Sequence, residues 1–127
     1  MPPSSPLAAA QHQALALRSA GDLATARRML AGAIESSRPA YGEDHPEVLG
    51  SAHLLARLHR EADDPAAARR VLEEAYAAGE RRWDPADPLM LALSFAHLLA
   101  RLHREADDPA AARRVLEEAY AAGERRW

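Results

Sequence analysis

Histidine and arginine recur four residues apart at two places in the chain. His53 precedes Arg57, and His97 precedes Arg101. Residues four apart share one face of a helix, so each pair would present an imidazole and a guanidinium together. Arginine can donate two parallel hydrogen bonds to one carboxylate. The spacing therefore predicts a surface suited to an acidic segment or a terminal carboxylate.

Neighbouring residues extend this surface into a candidate ligand groove. Arginines supply its polar contacts and leucines its apolar ones. An alternative interpretation is that the arginines form a solvated face whose charge is balanced by Glu61 and Glu105. The candidate groove residues are Arg18, His53, Leu54, Arg57, Arg60, His97, Leu98, Arg101 and Arg104.

The histidines do not have the spacing of a metal site. His53 and His59 are six residues apart and so lie about 240° apart around a helix. His53 and His97 could approach each other between units, but no carboxylate is placed to complete a site. We expect no metal and no cofactor. His59 and His103 are expected between helices, where burial favours the neutral imidazole.

Catalytic patterns are also missing from the sequence. There is no cysteine, no repeated nucleophile–base pair and no glycine-rich loop that could bind phosphate. The sequence therefore predicts a protein that is not an enzyme.

Composition narrows the classes of partner and compartment. The 127 residues carry a net charge of −3 and no lysine, which disfavours binding to a nucleic-acid backbone. No apolar run approaches the roughly 20 residues that a membrane span needs. The amino-terminal residues lack the pattern of a secretory signal. These features predict a cytoplasmic protein with no nucleic-acid or membrane partner.

The elements that must position the groove are repeated. Residues 52–83 recur letter for letter as residues 96–127. A weaker copy over 21–48 aligns with 63–90, so the chain has three units. The second and third units differ in spacing by two residues, which fall between Pro88 and His97.

Each unit has the pattern of two helices. Asp44-His45-Pro46-Glu47 has the residues that open a helix, and apolar residues then recur at helical spacing. Asp64 is the expected N-cap of a second helix that begins with Pro65. The connection of two or three residues requires an antiparallel hairpin. No alternating β-branched pattern occurs, so we predict an all-α fold.

The repeated residues resemble the tetratricopeptide repeat (TPR), in its longer kinesin-light-chain-like form. Asp63 and Asp107 depart from the pattern, because the family often has glycine there. The residues that carry the resemblance are Leu55-Ala56, Leu58-His59, Asp63, Ala68, Leu72, Ala75, Trp83, Asp87-Pro88 and the junction Gly42-Glu43-Asp44-His45-Pro46.

The resemblance implies a right-handed superhelical array of three antiparallel helical hairpins, with six helices. The first helix of each hairpin lines the concave face, which in this family binds peptides and performs no chemistry. We expect a disordered tail over 1–6 and one domain over 7–127, with repeats at about 7–45, 46–87 and 88–127.

The last repeat suggests self-association. No polar capping helix follows it in this sequence, so Leu116, Tyr120 and Trp127 are expected to be partly exposed. The chain is then either a fragment of a longer repeat protein or a homo-oligomer whose second copy covers this face.

Together these features predict a non-enzymatic adaptor that binds a protein segment in its concave groove. The first alternative is a sensor or oligomerisation segment of a larger bacterial signalling protein or transcription regulator. The second is an engineered array, built to duplicate a repeat, that forms a dimer; the perfect 32-residue identity motivates it.

Overall fold

Six helices follow one another along the chain. The computed structural model describes the backbone of residues 6–80 and 87–126, and the side chains of residues 6–79 and 96–117. Within these ranges there is no β-strand, so the all-α prediction is confirmed. The helices are α1 (Pro6–Ser19), α2 (Leu23–Tyr41), α3 (Pro46–Glu61), α4 (Pro65–Glu80), α5 (Asp87–Glu105) and α6 (Pro109–Arg126).

Short polar segments begin the helices where the sequence predicts. The Asp64 carboxylate accepts a hydrogen bond from the Ala67 N–H at 3.2 Å, which confirms Asp64 as the N-cap of α4. Asp108 caps α6 in the same way, through the Ala111 N–H at 3.1 Å. These bonds satisfy backbone donors that have no partner inside the helix.

The first helix of each pair ends in a tight turn that reverses the chain. After α3, the Asp63 N–H donates to the Arg60 carbonyl and the Asp64 N–H to the His59 carbonyl, at 3.0 and 2.8 Å. This is a Schellman arrangement, in which the residue after the cap adopts positive φ. Asp63 has a φ of 61° there, and Asp107 has 68° at the equivalent position. Gly21 fills this position in the first unit, with a φ of 84°.

The extra two residues of the third unit are absorbed as helix. Pro88, the second residue of α5, is the counterpart of Pro46, the first residue of α3, and both helices end at an equivalent glutamate, Glu105 and Glu61. The lengthening therefore adds to α5 and leaves the α5–α6 turn unchanged.

The side chains that the structure describes form two hydrophobic core clusters, one on each side of α3. The first joins α1 and α2 to Val48, Leu55 and Leu58 of α3. The second joins α3 and α4 to Leu99 and Leu102 of α5. Neither cluster belongs to a single hairpin, because each buries residues from two consecutive units. The stacking of units therefore forms the core, as in a helical solenoid.

Candidate functional site

The first helices of the three units lie side by side. Direct contacts join α1 to α3 and α3 to α5, whereas α2 and α4 have no Cα atoms within 8 Å of each other in the described part of the chain. The Gln11 amide of α1 donates to the buried Ser51 hydroxyl of α3 at 2.8 Å. We call the surface formed by α1, α3 and α5, opposite their sister helices, the inner face.

Ion pairs cross the inner face from one helix to the next. Arg18 of α1 lies 2.6 Å from the Glu61 carboxylate of α3. Arg60 of α3 lies 2.7 Å from the Glu105 carboxylate of α5. Glu61 and Glu105 occupy equivalent positions in their units, so the same link recurs at both junctions. Arg18 and Arg60 therefore match the alternative interpretation, in which glutamates balance the charge of the arginines on a solvated face.

Three other predicted groove arginines are more available. Arg57, Arg101 and Arg104 are exposed. Arg101 has one distant partner, Glu105, at 3.9 Å. Arg57 and Arg104 take part in none of the ion pairs formed between described residues.

The histidines and leucines of the predicted groove differ in burial. His97 is exposed, whereas His53 is half-buried. Loss of hydration lowers the pKa of His53, and the nearby Arg57 guanidinium lowers it further. Leu54 and Leu98 are half-buried, and each packs against one of the two core clusters. Their side chains therefore contribute to the core as well as to the surface.

A polar network that the sequence analysis missed connects the first two units. The Arg27 Nε–H of α2 donates to His59 Nδ1 at 2.9 Å, and its terminal nitrogen donates to Asp64 at 2.8 Å. Burial is the main cause that lowers the pKa of His59, with Arg27 second. This lowering of the pKa agrees with the predicted preference of His59 for the neutral form. The sequence contains one signal of this network, because Ala-Arg-Arg recurs in the second helix of each unit, in α2, α4 and α6.

The equivalent histidine of the third unit has different neighbours. His103 Nε2 lies 3.8 Å from the Glu73 carboxylate. Its Nδ1 atom is buried, with no hydrogen-bond partner among the described residues. Identical sequence thus places His59 and His103 in different polar environments.

The predicted self-association residues lie partly outside the described side chains. Leu116 is half-buried on α6, whereas its counterpart Leu72 on α4 is fully buried. The side chains of Tyr120 and Trp127 lie outside the described residues.

Two other kinds of site have no counterpart among the described residues. Among the described residues, no three His, Cys, Asp or Glu side chains are grouped as metal binding requires. None of the described helices combines the length and apolar character needed to traverse a bilayer.

Comparison with solved structures supports the fold. A protein of Podosopora anserina assigned as a kinesin light chain, with nearly identical TPR-like repeats, superimposes with a TM-score of 0.75 at 23% identity over 94% of this chain. A single-substitution variant of that protein gives a TM-score of 0.77, also at 23% identity and 94% coverage. The chain spans 56% and 57% of those two structures. A search of curated proteins gave no match.

Family models match most of the chain. A tetratricopeptide repeat model covers residues 6–81, and a second tetratricopeptide repeat model covers residues 93–118. The first match contains the first two hairpins, α1 to α4, and the second contains part of α5 and part of α6. The first match alone extends over more than half of the sequence, and the chain therefore belongs to the tetratricopeptide repeat family.

Proposed function

We propose that this protein binds a segment of a partner protein along its inner face. Tetratricopeptide repeats are generally protein–protein interaction modules. The observation that carries the proposal is the exposure of Arg57, Arg101 and Arg104 on neighbouring inner helices. Guanidinium groups with unused donors suit a ligand that supplies carboxylates.

The helices of the inner face also carry apolar side chains that reach the surface. Leu15 of α1 is 40% exposed. Leu54 and Leu98 add half-buried surface on α3 and α5. The ligand that fits best is therefore a short acidic segment with at least one apolar side chain, held without chemical change.

A peptide titration tests this proposal against a matched control. The probe is a fluorescein-labelled Gly-Glu-Leu-Glu-Asp-Leu peptide with a free carboxylate, measured by anisotropy. We expect Arg57→Ala/Arg101→Ala to weaken binding at least about tenfold, or about 1.4 kcal/mol. Arg28→Ala/Arg70→Ala changes the net charge equally through exposed residues of α2 and α4, and should weaken binding less than about twofold.

The control pair also distinguishes binding in the groove from electrostatic attraction to the net charge of the protein. Equal losses in the two double variants would show that the peptide responds to net charge alone, which contradicts the proposal. Unchanged affinity in Arg57→Ala/Arg101→Ala would contradict it as well. An amidated version of the peptide reports how much a terminal carboxylate contributes.

A second candidate function is self-association through α6. It is favoured by the difference between Leu116, which is half-buried, and Leu72, which is fully buried in the same sequence context. Light scattering over a dilution series tests it, on the full chain and on a chain ending before residue 96. A mass that falls to that of a monomer only on removal of residues 96–127 supports this function, and a monomeric full chain rejects it.

A further inference from the structure

A second surface lies on the opposite side of α3 from the inner face. A cavity of about 430 Å³ opens between α2 and α4, with α3 as its floor. Val48, Leu49 and Leu55 contribute the apolar floor. Binding pockets for small ligands and side chains measure about 300–1,000 Å³, so the cavity is large enough to hold one. We call it the outer cavity.

The outer cavity exists because small residues line its walls. Ala31 of α2 and Ala75 and Ala78 of α4 are among its lining residues. The two helices have no Cα atoms within 8 Å of each other in the described part of the chain, so their short side chains cannot close the gap. Apolar surface at the floor therefore stays available to an incoming group.

The rim of the outer cavity is acidic. Glu35, Glu43 and Glu74 line it, and Arg38 is the one arginine among the lining residues that the structure describes. Arg38 lies 2.5 Å from Glu35 and 3.8 Å from Glu74. The carboxylates of Glu35 and Glu74 beside one guanidinium leave an excess of negative charge at this point of the rim, which disfavours an anionic ligand and favours a cationic one.

One buried donor at this rim has no acceptor. The Arg38 Nε atom is inaccessible to solvent and has no hydrogen-bond partner among the described residues. A buried polar group without a partner is costly, so a shift of the Arg38 side chain that brings Nε to the cavity surface would let an acceptor from outside stabilise it. A peptide carbonyl oxygen provides such an acceptor beside a side chain that enters the cavity.

We propose that the outer cavity is a second binding site, for a partner segment in which a large apolar side chain lies next to lysine or arginine. The apolar side chain contacts the α3 floor, the basic side chain pairs with Glu74 and Glu35, and a main-chain carbonyl accepts from Arg38. This ligand has the opposite charge to the one proposed for the inner face. One chain could therefore hold two segments of different chemistry on its two faces.

Anisotropy titration with a labelled Gly-Arg-Leu-Phe-Arg-Gly amide tests this site. Ala77 is exposed and lines the cavity, whereas Ala66 is exposed on the same helix and does not line it. Ala77→Arg places a cation at the rim, and we expect it to weaken binding at least about tenfold. Ala66→Arg makes the same change in net charge and should weaken binding less than about twofold.

A second matched pair tests the rim charge without adding bulk. Glu74→Gln removes a rim carboxylate, and Glu73→Gln removes its neighbour outside the cavity. We expect threefold or more weakening in Glu74→Gln alone. The same peptide with glutamate in place of both arginines should not bind.

Other results would overturn the proposal. Equal effects of Ala77→Arg and Ala66→Arg, or equal binding of the glutamate peptide, would show that the cavity does not recognise this chemistry. A concentration-dependent mass that Ala77→Arg abolishes without peptide would assign the cavity to a second copy of the chain. Loss of acidic-peptide binding in Arg57→Ala/Arg101→Ala leaves this test unaffected, because those residues lie on the inner face.

Discussion

At the scale of single residues, three equivalent turns differ in the residue that carries positive φ. Gly21 has this conformation in the first unit, and Asp63 and Asp107 have it in the others. A side chain in the left-handed region crowds the following carbonyl, which glycine avoids. The turns at Asp63 and Asp107 therefore stabilise the fold less than the turn at Gly21 does.

We predict that Asp63→Gly raises the free energy of unfolding by about 0.5–1 kcal/mol, because the substitution relieves this crowding. Asp63→Asn is the control, since asparagine keeps a side chain of the same shape at positive φ and removes only the charge. Gly21→Ala should lower stability by about 1 kcal/mol. Urea unfolding followed by circular dichroism measures all three. A gain in Asp63→Asn equal to that in Asp63→Gly would assign the effect to charge instead.

His59 predicts a pH dependence of stability. Its pKa is lowered in the folded protein, mainly by burial. The unfolded chain, with a pKa of about 6.5, therefore binds a proton more readily than the folded one. Its contribution to stability is fully present above about pH 6.5 and decreases as the pH falls through the folded pKa.

Urea unfolding at pH 7.5, 6.5 and 5.5 measures this dependence. We expect stability to fall toward pH 5.5 and expect His59→Gln to reduce that fall. Gln13→Ala, at an exposed position of α1, is the control and should leave the slope unchanged. An unaltered slope in His59→Gln would contradict the assignment.

At the scale of elements, the N-cap residues Asp64 and Asp108 lie in identical sequence but make different contacts. Asp64 caps α4 and also accepts from Arg27 of the preceding unit, whereas Asp108 only caps α6 among the described contacts. The main cause that lowers the pKa of Asp64 is the Ala67 N–H, with Arg27 as a further one. One carboxylate thus links helix initiation to the junction between units.

We predict that Asp108→Ala lowers stability by about 1 kcal/mol through the lost cap. Asp64→Ala should lower stability more than Asp108→Ala, because Arg27 also loses an acceptor. A double-mutant cycle with Arg27→Ala isolates the second effect. Equal losses for the two aspartates, with no coupling to Arg27, would show that the link between units contributes nothing.

At the scale of the whole molecule, position in the stack decides how much a residue contributes. Helix α4 contacts α3 and α5, whereas the described part of α6 contacts only α5. In such arrays, stability is the sum of each unit and its interfaces with neighbours. The same side chain therefore contributes most where it has units on both sides.

Leu72 and Leu116 make this a direct comparison, since they occupy the same position of two identical helices. We predict that Leu72→Ala costs about 2–5 kcal/mol, as expected for a fully buried leucine, and that Leu116→Ala costs less than half as much. Urea unfolding at low protein concentration measures both. Equal costs would mean that α6 is covered as completely as α4, and a dependence on concentration would indicate self-association.

Much of the fold was predictable from sequence because it rests on local interactions. The turns at Asp64 and Asp108, the opening of α3 at Pro46 and the pairing of helices depend on residues within one or two helical turns. The repeat itself predicted stacking, because one hairpin alone has too little apolar surface to bury. The exposure of Arg57 and Arg101 followed from the same helical spacing.

Tertiary structure alone decided which polar groups meet between units. Arg18 and Arg60 look like Arg57 in sequence, but they lie where neighbouring inner helices approach, so glutamates from the next unit reach them. His59 and His103 share identical flanking residues and have different partners. The outer cavity likewise depends on the separation of α2 and α4. Helical periodicity determines the face on which a side chain lies, whereas the geometry of stacking determines what lies opposite.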